Sequence, residues 1–83
     1  MLLDIVKVQV GNDAVLLLEF ETGEQRCFDM TPLLDQKPWL HIKPAHLFSR
    51  AFVANGTVAW PENIDIAPET LYDLSVPMEP WQS

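Results

Sequence analysis

Asn55-Gly56 is the pair of residues that most restricts how this chain can fold. It separates Phe52-Val53-Ala54 from Thr57-Val58-Ala59-Trp60. A two-residue type I′ hairpin loop needs positive φ at both central positions, which asparagine and glycine accept. The implied register sets Val53 opposite Val58 and Phe52 opposite Ala59. Pro61 halts the second strand directly after Trp60, because proline lacks the amide donor a ladder requires, and Trp60 is expected in the core. Pro68 then suits the first position of a helix, with Glu69 near its positive end and Leu71, Tyr72 and Leu74 available for burial. Ala67, at the cap position, forgoes a side-chain hydrogen bond, and Asp65 is placed to substitute for it.

The first half reads as strands. Residues 3–10 alternate, with Val6, Val8 and Val10 on one face and Leu3, Ile5, Lys7 and Gln9 on the other, and Gly11-Asn12-Asp13 supplies turn chemistry. Ala14-Val15-Leu16-Leu17-Leu18 is apolar on both faces until Glu19, the pattern of a central strand covered above and below. Thr22-Gly23 offers a turn before Glu24 to Asp29 alternates again. Thr31-Pro32 ends this three-stranded meander. Residues 31–43 read as an anchored loop whose Trp39, Leu40 and Ile42 tuck onto the core, followed by a short helix over 44–50. Beyond Ser75, two prolines and no helical period predict an extended tail. The expected organisation is a single α+β domain over 1–75 and a tail over 76–83.

A chain of 83 residues buries only roughly 60–65% of its unfolded surface, so its core is marginal. Cys27 is the single cysteine, which excludes an internal disulfide and makes self-association, ahead of a structural metal, the leading reinforcement. The net charge is −7, and the five basic residues are scattered, so counterion-displacing contacts to nucleic acid are not expected. A basic protein is the partner class such a surface attracts. No apolar run approaches the ~20 residues of a membrane span, and no basic-then-apolar leader with a cleavage site precedes the first strand. The expected location is the cytoplasm.

Phe28-Asp29-Met30-Thr31-Pro32-Leu33-Leu34, then Trp39-Leu40, Leu47-Phe48, Trp60-Pro61, Asp65, Pro68-Glu69 and Leu71-Tyr72 form a pattern that resembles the small bacterial domain-of-unknown-function family 2442, over about residues 3–73. This chain has Glu62-Asn63 where the family pattern reads Asn-Gly, and Ala67 where it often has serine. The resemblance implies a compact α+β domain with no assigned activity. It also implies membership in two-gene bacterial modules, which suggests an antitoxin-like partner. Some relatives carry a helix-turn-helix domain after this one, and no such role transfers to residues 3–73.

Cys27, Asp29, His41 and His46 are the residues able to serve a small metal-binding protein or enzyme. Five residues separate the two histidines, with Pro44 between them, so they do not share a helical face. A small core residue for Cys27 and surface or loop roles for the histidines are the simpler readings, and no cofactor is expected. Asp29 is expected to bond loop amides, and Asp65 and Glu69 to serve as turn and helix-terminus carboxylates.

The apolar strand at 14–18 carries the functional expectation. Two helices of about two turns cover one face of a sheet and leave the other. Leu3, Ile5, Val15 and Leu17 are expected on that second face, and Trp81 in the tail is a further interface candidate. The reading is a non-enzymatic interaction module, either a homodimer or one half of a heteromer.

Overall fold

The computed structural model describes residues 3–78. Its order is β1 (Ile5–Val10), β2 (Val15–Phe20), β3 (Gln25–Asp29), a 3-10 helix (Trp39–Ile42), α1 (Ala45–Phe48), β4 (Phe52–Ala54), β5 (Thr57–Trp60), β6 (Ile64–Ile66), α2 (Pro68–Leu74) and β7 (Val76–Pro77). The α+β class is as expected, but the strands form two antiparallel sheets rather than one. The first has four strands in the order β1-β2-β3-β7, and the second three in the order β4-β5-β6. They meet where the Ile5 N–H donates to the Gly56 carbonyl at 2.8 Å.

The hairpin forms as the residues dictate. Asn55 and Gly56 have φ of 53° and 77°, and Val53 opposes Val58 while Phe52 opposes Ala59. Gly56 also permits close approach, since a Cβ there would stand 2.8 Å from the Asp4 carboxyl carbon. After Pro61 the chain turns through Glu62 (φ 73°) and Asn63 (φ 63°), so this pair takes the left-handed conformation without a glycine. That turn allows β6 to pair with β5, Trp60 opposite Ile64. Thr57 Oγ1 closes the pair by donating to the Ile66 carbonyl.

The core lies between the inner faces of the two sheets and the helices. Leu16, Leu18 and Phe20 of β2 and Phe28 of β3 point inward and are at most 1% exposed. Phe48, Ile42, Ile64, Ile66 and Leu71 close over them. Trp60 is 1% exposed, its Nε1 donates to the Phe48 carbonyl at 2.9 Å, and its ring lies 5.8 Å from that of Phe48. Leu40 does not tuck inward with Trp39 and Ile42; it is 44% exposed.

Two sequence expectations about β1 change. The register slips between Ile5 and Lys7, so Val6 is an extra residue bulging from the ladder. A bulge reverses the alternation beyond it. Ile5 therefore shares the inner face with Val8 and Val10, opposite Phe20, and is 2% exposed. Leu3 packs against the same core, and Val6 is turned outward at 51% exposure.

The predicted helix over 44–50 is shorter, with Pro44 as its cap rather than its first residue. Ala67 caps α2 without a side-chain hydrogen bond, and Pro68 follows at the first helical positions. Asp65 supplies no substitute cap. Ala67→Ser or Ala67→Asp is therefore expected to raise the unfolding free energy by about 1 kcal/mol in urea titration. A gain within error of zero would show that water already satisfies the first amides of α2.

A buried clasp ties Ser75, just after α2, to β3. Arg26 points inward, its Nε donating to Ser75 Oγ at 2.6 Å and its Nη2 to the Ser75 carbonyl at 2.8 Å. Its Nη1 meets Glu24 Oε2 at 2.6 Å, and its guanidinium sits 4.3 Å over the Tyr72 ring. Tyr72 donates its hydroxyl to Glu24 Oε1 at 2.9 Å, with its ring edge-on to Phe20. With Ser75 fixed, Val76 falls opposite Cys27 and Pro77 opposite Arg26. The beginning of the expected tail is thus an edge strand, where proline's missing donor faces no partner.

Candidate interaction surface

Alternation along the four-stranded sheet decides what its outer face carries. Since Leu16, Leu18, Phe20, Arg26 and Phe28 point inward, the outward set is Val15, Leu17 and Glu19 from β2, and Gln25, Cys27 and Asp29 from β3. Lys7 and Gln9 of β1 join them opposite Glu19 and Leu17. Across the middle, Gln9, Leu17, Cys27 and Val76 are successive cross-strand partners. None of these outward residues is buried, and Val76 is 59% exposed. Lys7, Gln9, Asp29 and Val76 are exposed, and Val15, Leu17, Glu19, Gln25 and Cys27 are partly so.

The surface therefore has an apolar centre of Val15, Leu17, Cys27 and Val76 within a polar rim. Val15 and Leu17 stand where the sequence places them. Leu3 and Ile5 do not belong to the surface, because the bulge at Val6 sends Ile5 inward. Trp81 lies outside the described residues. Cys27 is half-exposed on the outer face rather than a core residue. Val76 was hidden in sequence because a two-residue strand ending in proline shows no periodicity.

The alternative set does not converge. Asp29 Oδ1 accepts the Thr31 N–H at 2.9 Å, the loop-amide role expected of it. His41, in the 3-10 helix, pairs its Nε2 with Glu62 Oε2 at 3.0 Å, while His46 is exposed on α1. Asp65 offers its backbone carbonyl to Trp39 Nε1 at 3.1 Å. Among the described residues, no three His, Cys, Asp or Glu side chains come together as metal ligands.

Sequence reasoning also missed an open groove of about 700 Å³. Pro38, Leu40, Pro44 and Ile64 line it with Lys37 and the His41–Glu62 pair. It joins residues from a loop, two short helical turns and β6, which share no local pattern. No helix among the described residues is long and apolar enough to cross a membrane.

Two carboxylates are held below their ordinary range. The hydrogen bond from Arg26, aided by that from Tyr72, lowers the Glu24 pKa from its usual 4.5. The Thr31 amide lowers Asp29 from 3.8. The bond to Glu24 raises the Tyr72 phenol above 10.0. For a depressed carboxylate, the stabilisation is complete above the unfolded value and disappears as pH falls through the folded one. For the raised phenol it is complete below 10.0 and disappears as pH rises through the folded value. Thermal midpoints should therefore fall as the pH drops from about 4.5, and Glu24→Gln should flatten that acid limb. An unchanged acid limb in Glu24→Gln would show that other carboxylates control it.

No curated protein matches this sequence, and no solved structure does. A family model does match, over residues 5–77, which spans both sheets, both helices and the β7 strand that completes the outer face. The chain belongs to the family described as protein of unknown function, DUF2442.

Proposed function

We propose that this domain is a non-enzymatic protein–protein interaction module, acting in the cytoplasm, whose docking surface is the outer face of the four-stranded sheet. The outward row of Leu17, Cys27 and Val76, partly exposed at the first two and 59% exposed at Val76, carries this reading. Apolar atoms at the centre of a polar rim are how protein interfaces are built. With a net charge of −7, the occupant that fits is a basic protein, since opposite charge speeds encounter and suppresses wrong partners. The two-gene arrangement implied by the family supplies the first candidate, the product of the adjacent gene, in an antitoxin-like pairing. A second copy is the other occupant, and −7 on each protomer works against it.

Leu17→Asp tests the surface without touching the core. Co-expressed with the adjacent gene product, the unmodified chain should co-purify with it, and Leu17→Asp should weaken that association at least tenfold, with an unchanged thermal midpoint. Sedimentation of the isolated chain separates the second copy from the heteromer. A chain that stays monomeric, with association unaffected by Leu17→Asp, would remove the proposal.

A further inference from the structure

The groove between the 3-10 helix and the turn after β5 is built before any ligand arrives. Its volume of about 700 Å³ lies in the range of small-molecule sites, and Pro38, Leu40, Pro44 and Ile64 make its walls largely apolar. Two contacts clamp the 3-10 helix to the opposite side. Trp39 Nε1 donates to the Asp65 carbonyl at 3.1 Å, and His41 Nε2 pairs with Glu62 Oε2 at 3.0 Å. The helix is also anchored at its own start, where the Leu40 N–H donates to the Gln36 carbonyl at 2.8 Å. Two of the four apolar walls are proline rings, which have almost no rotamer entropy to lose when a ligand is seated. A site held in this way spends little interaction energy on ordering itself. Leu40, 44% exposed, thus has a use that core packing does not give it.

The charges in the lining decide which ligand fits. Glu62 is already answered by His41. Elsewhere Asp35 holds Lys43 at 2.7 Å and Glu24 holds Arg26 at 2.6 Å. Lys37 lines the groove and has no ion pair or hydrogen bond among the described residues. This is in a chain with 12 carboxylates against five lysines and arginines. The net charge of −7 repels anions at a distance, but at physiological salt charges beyond about 8 Å are largely screened. The ammonium in contact with the ligand therefore sets the preference.

We propose that this groove binds a small organic anion, a flat apolar body bearing one carboxylate. The body lies against Pro38, Leu40, Pro44 and Ile64, and the carboxylate pairs with Lys37. A cationic ligand finds no such opening, because the carboxylate in the lining is engaged by His41. The site shares no residue with the outer face of the four-stranded sheet and is independent of docking there.

Naphthoate is the probe, with naphthamide as its neutral twin and naphthylmethylammonium as its cationic one. Each is titrated at constant ionic strength into the isotope-labelled full chain, and amide chemical shifts are followed to millimolar ligand. Naphthoate should shift the amides of Leu40, His41 and Ile64 saturably. It should bind more tightly than naphthamide by about threefold, the size of an exposed ion pair, and the cation should be the weakest of the three. Lys37→Gln, a change at an exposed position, should bring naphthoate down to the affinity of naphthamide and leave naphthamide as it was. Absence of saturable shifts at Leu40, His41 and Ile64 overturns the proposal. So does naphthoate binding that equals that of naphthamide or survives Lys37→Gln undiminished, since the groove would then take apolar bodies of any charge. Leu17→Asp should change none of these affinities; loss of naphthoate binding in that variant would place the ligand on the sheet and overturn the groove as its site. The co-purification and this titration read different residues, so either can fail alone.

Discussion

Trp60→Ala should lower the unfolding free energy by about 3–5 kcal/mol, the range for removing a buried large aromatic side chain. A domain of this length has a total of about 4–12 kcal/mol, so the substitution removes a large share of it. The reason is the number of parts the indole joins. It is 1% exposed, ends β5, faces the Phe48 ring, and gives its N–H to the Phe48 carbonyl at the end of α1. Trp60→Phe separates these contributions: it keeps most of the apolar volume but leaves the Phe48 carbonyl only the longer bond from the Ala51 N–H at 3.3 Å, at a cost of about 0.5–1.5 kcal/mol. Urea titration followed by far-ultraviolet circular dichroism reads both. A loss below about 1 kcal/mol for Trp60→Ala would contradict a core built around this residue.

Arg26→Ala should cost about 2–3 kcal/mol and act on one region rather than the whole molecule. Its guanidinium makes two hydrogen bonds to Ser75, and charge-assisted bonds of this kind each contribute more than neutral ones. The guanidinium also sits over the Tyr72 ring, so the substitution removes packing as well as charge. Hydrogen exchange should show amides of Leu71, Ser75 and Met78 losing protection while those of Leu16 and Leu18 keep theirs. Arg26→Lys should recover little of this, because an ammonium cannot reach Ser75, Glu24 and the ring with one planar group. Uniform loss of protection along the chain would show that the clasp and the core unfold as one unit.

The sequence made the local turns legible and left the sheet arrangement hidden. Asn55-Gly56 announced its hairpin and register because both residues are chosen for positive φ. The double apolar character of Val15 to Leu18 marked a strand, in which Leu16 and Leu18 point inward and Val15 and Leu17 outward. Glu62-Asn63 concealed a strand connection, since a glutamate at positive φ is not a turn signal, and β6 is only three residues long. The bulge at Val6 was equally invisible. Val-Lys-Val-Gln-Val alternates evenly, and only the demand that Ile5 pair with Phe20 shows where the extra residue goes. That single slip decided which residues belong to the candidate surface: Ile5 left it, and Cys27 and Val76 defined it from strands further along. Val76 was unreadable for another reason. Its position is set by Arg26 gripping Ser75, a contact between residues 49 apart that no local pattern encodes.

The grip between Arg26 and Ser75 has a consequence for biosynthesis. The first three strands emerge early from the ribosome, and their turns are short enough to close as they appear. Their fourth neighbour in the sheet, β7, is made much later. Until it clears the exit tunnel, the β3 edge is bare and Arg26 has no serine to hold, so a stalled or truncated nascent chain exposes a strand edge of the kind that recruits chaperones or aggregates. Emergence of β7 is thus the event that seals the β3 edge.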